Sequence, residues 1–462
     1  MSDAARVFMF GFTEKILSGE RLKFFKSVGA KNFILFGRNL ANLNKNIEII
    51  KNEFEDPLIA IDQEGGIVRR ITETDDFFFG NMNAAMSSSA SYIRNIYFKV
   101  GKVLYEKGIN LNLAPVADVY LKKGNSISIR SFGSDPIKVS LFVNSAIEGL
   151  HNAGVLSTLK HFVGYGAAVK DPHKGLPVFS GSTEMLNKAI APFRSAASIS
   201  DFVMTAHIKV NEIDPENPIT FSRKAISILR KEVGFSGPII TDCLEMGGAM
   251  IYPVSEIAVN ALNAGNDILI VSHTLEVQKE MLHSVEKSGI RLNHHIERIE
   301  SVSIKSSAIE HVGDLKKYVC LYKNDNFVPK SEFHFLFPEI AQEVQVEEMK
   351  IQKGDFSVDP GRDEIERVSS SVKLDNVVLV SYNAFRHRGQ ILLAKKIKES
   401  GKKICVIVAG DPADVREFQF ADCILLTLSP LEKIVKYALS VVRGNEKANG
   451  VIPVSEEVLW KE

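Results

Sequence analysis

The chain is poor in the residues that staple or anchor a protein. It has four cysteines in 462 residues, Cys243, Cys320, Cys405 and Cys423, far apart and with no C-x-x-C pair. Neither a disulfide framework nor a structural zinc site is therefore signalled. Charge of one sign is also missing, since 56 Lys plus Arg face 56 Asp plus Glu. That balance gives no electrostatic case for nucleic acid or an anionic membrane as partner. No apolar run is long enough to span a bilayer. The opening stretch MSDAARVFMFGFTEKI has neither a basic start nor a cleavage pattern, so the expected location is cytoplasmic. P-loop and H-E-x-x-H patterns are absent, and no serine or cysteine sits in a nucleophile-elbow context. Gly164-x-Gly166 begins a dinucleotide fingerprint, but Val169 stands where its third glycine belongs.

What is present is an ordinary globular composition, 45% apolar and 24% charged, over a length that suits two to three domains. Eight β-rich runs recur: Val7–Phe12, Asn32–Phe36, Leu58–Asp62, Asn110–Val116, Val155–Phe162, Phe202–Val210, Ile239–Cys243 and Ile268–Ser272. Several are apolar almost throughout, as strands buried on both faces are. Helical patterns lie between them, such as Leu43–Glu53, Ala90–Glu106, Pro136–Ala153, Thr183–Ala197 and Arg223–Val233. This alternation predicts a (β/α)8 TIM-type barrel, with an open doubly wound sheet as the alternative. A second set of strands and helices after Glu300 predicts a smaller α/β sandwich domain. The expected division is 1–312 and 313–462. SVSIKSSAIEHVGDLKKYV is read as a helix leading out of the barrel, and Gln342–Arg367 as the least structured part of the second domain.

Polar residues cluster at the strand ends. Arg38, Asp62, Lys160, His161, His207, Asp242 and His273 all fall at or just past them, on the rim where barrels assemble sites. Asp242 in PIITDCLEMGGAM suits a nucleophile, a base, a metal ligand or a helix cap. Asp62 in IAIDQEGGIVRRI suits a sugar-binding carboxylate or an Asp–Arg pair. Gly65-Gly66 behind it are read as allowing the backbone to approach a ligand. Asp135-Pro136 reads as a helix start, and His294-His295 as structural. Asp171-x-His173 is an acid beside an imidazole that could act together as acid and base.

The motifs IDQEGG, LAPVADV, RSFGSDP, KHF-x-G-x-G, D-x-H-x-x-LP, VMTAHI and ITDCLEMGGA occur in this order. Together they resemble the family 3 glycoside hydrolases, most closely the bacterial β-N-acetylhexosaminidases of cell-wall recycling. The resemblance covers Val7 to His273. The C-terminal pattern is similar to the α/β sandwich domain that some members carry. The resemblance implies that Asp242 is the nucleophile, and that Asp171 and His173 form the acid/base dyad on a mobile loop. It implies that Asp62, Arg70, Arg130, Lys160 and His161 hold an N-acetylglucosamine unit. It implies no metal and no cofactor, a small-molecule glycoside as substrate, and no protein partner. Glu245 is the reserve candidate for the acid. The family usually has Pro, His and Asp where this chain has Val163, Tyr165 and Ala167, and Arg is common where it has Ile67.

The expected activity is a retaining exo-β-N-acetylglucosaminidase acting on peptidoglycan fragments or related glycosides. The alternatives are a phosphorylase of the same glycosides and a sugar-binding protein with little turnover.

Overall fold

The computed structural model describes residues 3–168, 176–302, 315–325, 327, 332–340 and 354–460. Its first part is a barrel of eight parallel strands. They are β1 (Phe8–Phe10), β2 (Asn32–Leu35), β3 (Leu58–Ile61), β4 (Leu111–Asn112), β5 (Leu156–Phe162), β6 (Phe202–Thr205), β7 (Ile239–Thr241) and β8 (Leu269–Val271). The order is β7-β6-β5-β4-β3-β2-β1-β8. The seam is closed by Thr241 N–H donating to Ile268 O (2.9 Å) and Leu244 N–H to Ile270 O (2.9 Å). This closure decides between the barrel and the open sheet.

Side chains alternate across each strand. Phe8 and Phe10, Phe33 and Leu35, Ile59 and Ile61, and Leu269 and Val271 join one core that also holds the helices' apolar faces. Met9, Ile34, Ala60, Leu111, Leu156, Met204, Ile240 and Ile270 form a separate cluster inside the barrel. Both faces of every strand are thus buried, which is why the strands lack a polar alternation. The helices between them include Leu43–Glu53, Ala90–Glu106, Pro136–Asn152, Thr183–Ala196 and Arg223–Lys231. Asp135 caps the third of these by accepting from Ile137 N–H (2.9 Å).

The second part is a five-stranded sheet of β9 (Cys320–Asn324), β10 (His334–Leu336), β13 (Asn376–Ser381), β14 (Lys403–Val408) and β15 (Cys423–Leu426), with a small pair, β11 (Pro338–Glu339) and β12 (Phe356–Ser357), beside it. Only β9 runs antiparallel within the five. Part of the stretch expected to be least structured is ordered. Arg362–Ser371 is a helix that buries Ile365 and Val368 and carries Asp363 and Glu364 in its first turn, where acids suit the helix dipole. Most of the expected exit helix, and the expected boundary at 312/313, lie outside the described residues.

The two parts share a core. Met82, Met86, Tyr120 and Ile129 of the barrel pack in one cluster with Leu336, Leu379, Val408 and Leu426. Ile67 packs on the same cluster, so an apolar side chain suits the place where Arg is common in the family. Tyr120 OH donates to Asp411 Oδ1 (2.6 Å), Ser128 Oγ to Asp411 Oδ2 (2.8 Å) and Arg386 Nη2 to Gly124 O (2.7 Å). Residues 450–455 return to the barrel. There Ser134 N–H donates to Pro453 O (3.1 Å) and Val451 N–H to Met86 O (3.1 Å).

Candidate active site

Strand alternation aims the site. Ala60, Leu156 and Ile240 point into the barrel. Two positions on from Ala60 and Ile240, and four on from Leu156, Asp62, Asp242 and Lys160 take the same direction at the C-terminal mouth. Lys160 is 2% exposed, and its Nζ lies 2.8 Å from Asp62 Oδ1 and 2.6 Å from Glu64 Oε1. Arg130 closes the chain of charges. Its Nε donates to Glu64 Oε2 (2.8 Å) and its Nη2 to Glu64 Oε1 (2.8 Å). Such forked, charge-assisted pairs fix orientation as well as charge. Arg70 stands 3.8 Å from Asp62 Oδ2, while Arg69 turns away to Asp75 (2.8 Å). Burial favours the neutral form of Glu64, but Arg130 and Lys160 outweigh it and hold the carboxyl well below the usual range. Burial likewise opposes the charge on Lys160, and Asp62 and Glu64 overcome it and raise its pKa.

His161 is fixed from behind. Asp118, fully buried, lies 2.9 Å from His161 Nδ1 and also accepts the backbone N–H of His161 (3.0 Å). With its Nδ1 proton on Asp118, His161 presents Nε2 toward Arg130 Nη2 (3.4 Å). The other Asp118 oxygen accepts the backbone N–H of Tyr165. Tyr165 packs edge-on to His161 at 5.1 Å, and its hydroxyl accepts from His207 N–H (2.8 Å). Val163, Tyr165 and Ala167, the departures from the family pattern, are all buried supports behind the rim. Gly166 is required by close approach, since a Cβ there would lie 1.6 Å from Val119 O.

Asp242 stands partly exposed at the end of β7, and its Oδ1 accepts from Cys243 N–H (2.8 Å). It caps no helix. Burial pushes toward the neutral acid, but His207, His161, the Cys243 amide and Lys160 together lower its pKa. The carboxylate is thereby biased toward its charged form. His207 is locked by Cys243 O (2.9 Å) and Thr220 Oγ1 (2.8 Å).

The structure brings Asp62, Arg70, Arg130, Lys160, His161 and Asp242 to one mouth. Asp171 and His173 lie outside the described residues. Two buried acids that organise the mouth, Glu64 and Asp118, escape the sequence reading. Each stands in a motif already noted, IDQEGG and LAPVADV, but nothing local tells that its partner lies 66 or 43 positions away. The reserve acid Glu245 is unsuited to that role. Its carboxylate accepts from the amides of Ser272 and His273 (both 2.7 Å) and Thr274 (2.8 Å). Burial is outweighed by these bonds and by His273, and the pKa falls to about 2. The glycine pair also has a packing role. A Cβ on Gly65 would lie 2.3 Å from the Phe78 ring and one on Gly66 would meet Gly80 Cα at 3.0 Å, so the pair lets two loop segments pack. Arg38 is structural, donating to Phe12 O (2.8 Å) and Ser272 O (3.0 Å). His295 is too, holding Asp267 (2.8 Å) at the opposite end of the barrel. Among the described residues, Cys243, Glu245 and His273 form a group able to hold a metal ion.

A (β/α)8 barrel whose C-terminal mouth gathers these acids and cations, in these motifs, defines a glycoside hydrolase. Residues 24–302 match the glycosyl hydrolase family 3 N terminal domain, and the chain belongs to that family. It is 31% identical over 305 residues to a beta-hexosaminidase of Idiomarina loihiensis, covering 63% of this chain and 92% of that protein. It is 34% identical over 269 residues to beta-hexosaminidase A of Pseudoalteromonas piscicida, covering 52% of this chain and 45% of that longer protein. A family 3 beta-N-acetylglucosaminidase from Paenibacillus sp. str. FPU-7 superposes over 98% of both chains, with a TM-score of 0.86 and 26% identity. That likeness includes the second domain. Among the described residues no helix is long and apolar enough to cross a membrane.

Proposed function

We propose that the protein is a retaining exo-β-N-acetylglucosaminidase that removes terminal β-linked N-acetylglucosamine from peptidoglycan fragments or related glycosides. The observation that supports it most is the ionised Asp242 facing the Asp62–Lys160–Glu64–Arg130 array across the barrel mouth. Asp62, Arg70, Lys160, Arg130 and His161 bind the sugar hydroxyls and the acetamido group. Asp242 attacks the anomeric carbon while His173, oriented by Asp171, protonates the leaving oxygen. The glycosyl–Asp242 ester is then opened by a water that His173 deprotonates, and two displacements give net retention. The array is set before the sugar arrives, so little reorganisation is left for the reaction. Exclusion of water from Lys160 and Glu64 strengthens their field on the substrate.

The test is turnover of aryl β-N-acetylglucosaminide against aryl β-glucoside, with the first-formed anomer read by NMR, in buffers with and without phosphate. Release of β-N-acetylglucosamine, independent of phosphate, is the expected result. An α-anomer first product refutes retention by hydrolysis. N-acetylglucosamine 1-phosphate as the product replaces the hydrolase with a phosphorylase. Tight sugar binding without turnover replaces the enzyme with a binding protein.

A further inference from the structure

Next to Asp242 the ends of β7 and β8 bring together a thiol, a carboxylate and an imidazole that the proposed reaction leaves unused. Cys243 Sγ lies 3.0 Å from Ser272 Oγ, and that hydroxyl lies 2.8 Å from His273 Nδ1. His273 Nδ1 is 3.5 Å from Glu245 Oε2. The sulfur, the carboxylate oxygen and the ring nitrogen all lie within 4.8 Å of one another. Part of this has a structural reason. Glu245 satisfies three amides at the start of the helix Leu275–Lys287, whose N-cap Thr274 makes no side-chain capping bond. That reason covers Glu245. It does not explain why a thiol and an imidazole converge on one serine beside it. Nor is the group a catalytic triad, because Ser272 and Glu245 both address the same ring nitrogen.

We propose that Cys243, Glu245 and His273 form a binding site for a thiophilic divalent cation, with zinc the natural fit. Zinc sits about 2.3 Å from sulfur and about 2.0–2.2 Å from nitrogen and oxygen. Tetrahedral ligands at those lengths stand roughly 3.4–3.6 Å apart. His273 Nδ1 stands 3.5 Å from the Glu245 carboxylate at Oε2, and small turns of the Glu245 and Cys243 side chains bring Oε1 and Sγ to that spacing. Oε1 of Glu245 accepts one amide only, so a lone pair remains for the ion. Ser272 Oγ or a water takes the fourth position. On binding, the Cys243 thiol gives its proton to solvent and the ion gains a thiolate. The His273 side chain is 39% exposed, which leaves an entry path, and its ring rests on Phe36 at 5.5 Å. The mixed sulfur, nitrogen and oxygen set disfavours magnesium and calcium, which want oxygen alone. The site adjoins Asp242, whose Oδ1 accepts the Cys243 amide, but the proposed reaction does not use its three ligands and its test does not use turnover.

Cobalt(II) is the probe, added in one equivalent to the full chain in chelator-free buffer. The expected result is a near-ultraviolet thiolate-to-cobalt charge-transfer band with the visible bands of a four-coordinate ion, both displaced by zinc. The charge-transfer band should vanish in Cys243→Ser, and the affinity should fall roughly tenfold or more in His273→Asn. Unfolding midpoints of both variants serve as the control for folding. If Cys243→Ser does not fold, an Sγ–cobalt distance from X-ray absorption on the unaltered protein, with the affinity of His273→Asn, decides instead. A folded protein with no band, or a band that survives Cys243→Ser, overturns the proposal.

Discussion

Replacing Glu64 with Gln keeps the shape of the side chain and removes its charge. Glu64 is 1% exposed and receives three charge-assisted bonds, two from Arg130 and one from Lys160. An amide offers one acceptor oxygen and one N–H2 group. Whichever way it turns, a donor of Arg130 or Lys160 then faces a donor. Arg130 loses its bidentate partner in either orientation, and in one of them Lys160 also loses its bond to residue 64. Removing one member of such a buried set typically costs about 3–5 kcal/mol. The expected result in urea unfolding at pH 7 is a loss of that size, together with a fall in kcat/KM as the Arg130 fork loosens. The pH dependence gives a sharper check. The folded-state pKa of Glu64 is depressed, so its contribution is complete above the unfolded pKa and is lost as pH falls toward the folded value. The gap between wild type and variant should therefore shrink below about pH 4.3, by roughly 1.4 kcal/mol per unit. A loss under about 1 kcal/mol at pH 7, or a gap that does not change on acidification, would refute the account of the mouth as a charge-assembled array.

Asp242→Asn should remove nearly all turnover with little change in the urea midpoint, and substantial activity on natural glycosides would displace it as nucleophile. Lys160→Ala should lower kcat/KM by roughly two to four kcal/mol of transition-state stabilisation, measured by steady-state kinetics on an aryl glycoside. His173→Ala should lose most activity on poor leaving groups and less in the first step with nitrophenyl. Intact-protein mass spectrometry should then show a trapped glycosyl adduct. Asp411→Ala should cost about 1–3 kcal/mol by leaving Tyr120 OH and Ser128 Oγ unpaired. It should also raise KM, because Ser128 leads directly into Arg130.

The barrel is readable in the sequence because its evidence is local. A strand buried on both faces needs four or five consecutive apolar residues, and a polar residue at or just past its C-terminal end falls on the rim. That is how Asp62, Lys160 and Asp242 are found. Asp118 and Glu64 are different, since their importance lies in partners that only the closed barrel supplies. Tyr165 is similar. As a sequence change it reads as a lost histidine, while in the fold its ring braces His161 and its hydroxyl takes the His207 amide. The helix Arg362–Ser371 was hidden by its own acidity, because the exposed face and first turn outnumber the buried Ile365 and Val368.

The core shared between the two lobes has a consequence for biosynthesis. A ribosome delivers the barrel first, and Met82, Met86, Tyr120 and Ile129 then lack the strands that cover them. The covering sheet arrives later, and residues 450–455, which seal Gly133 and Ser134 against Pro453, arrive later still. Until then the nascent barrel shows an apolar patch of the kind that drives chains to associate. Slow elongation through the second domain, or a stop codon placed just after the barrel, should therefore send this protein to chaperones or inclusion bodies even though every strand of the catalytic half has been made.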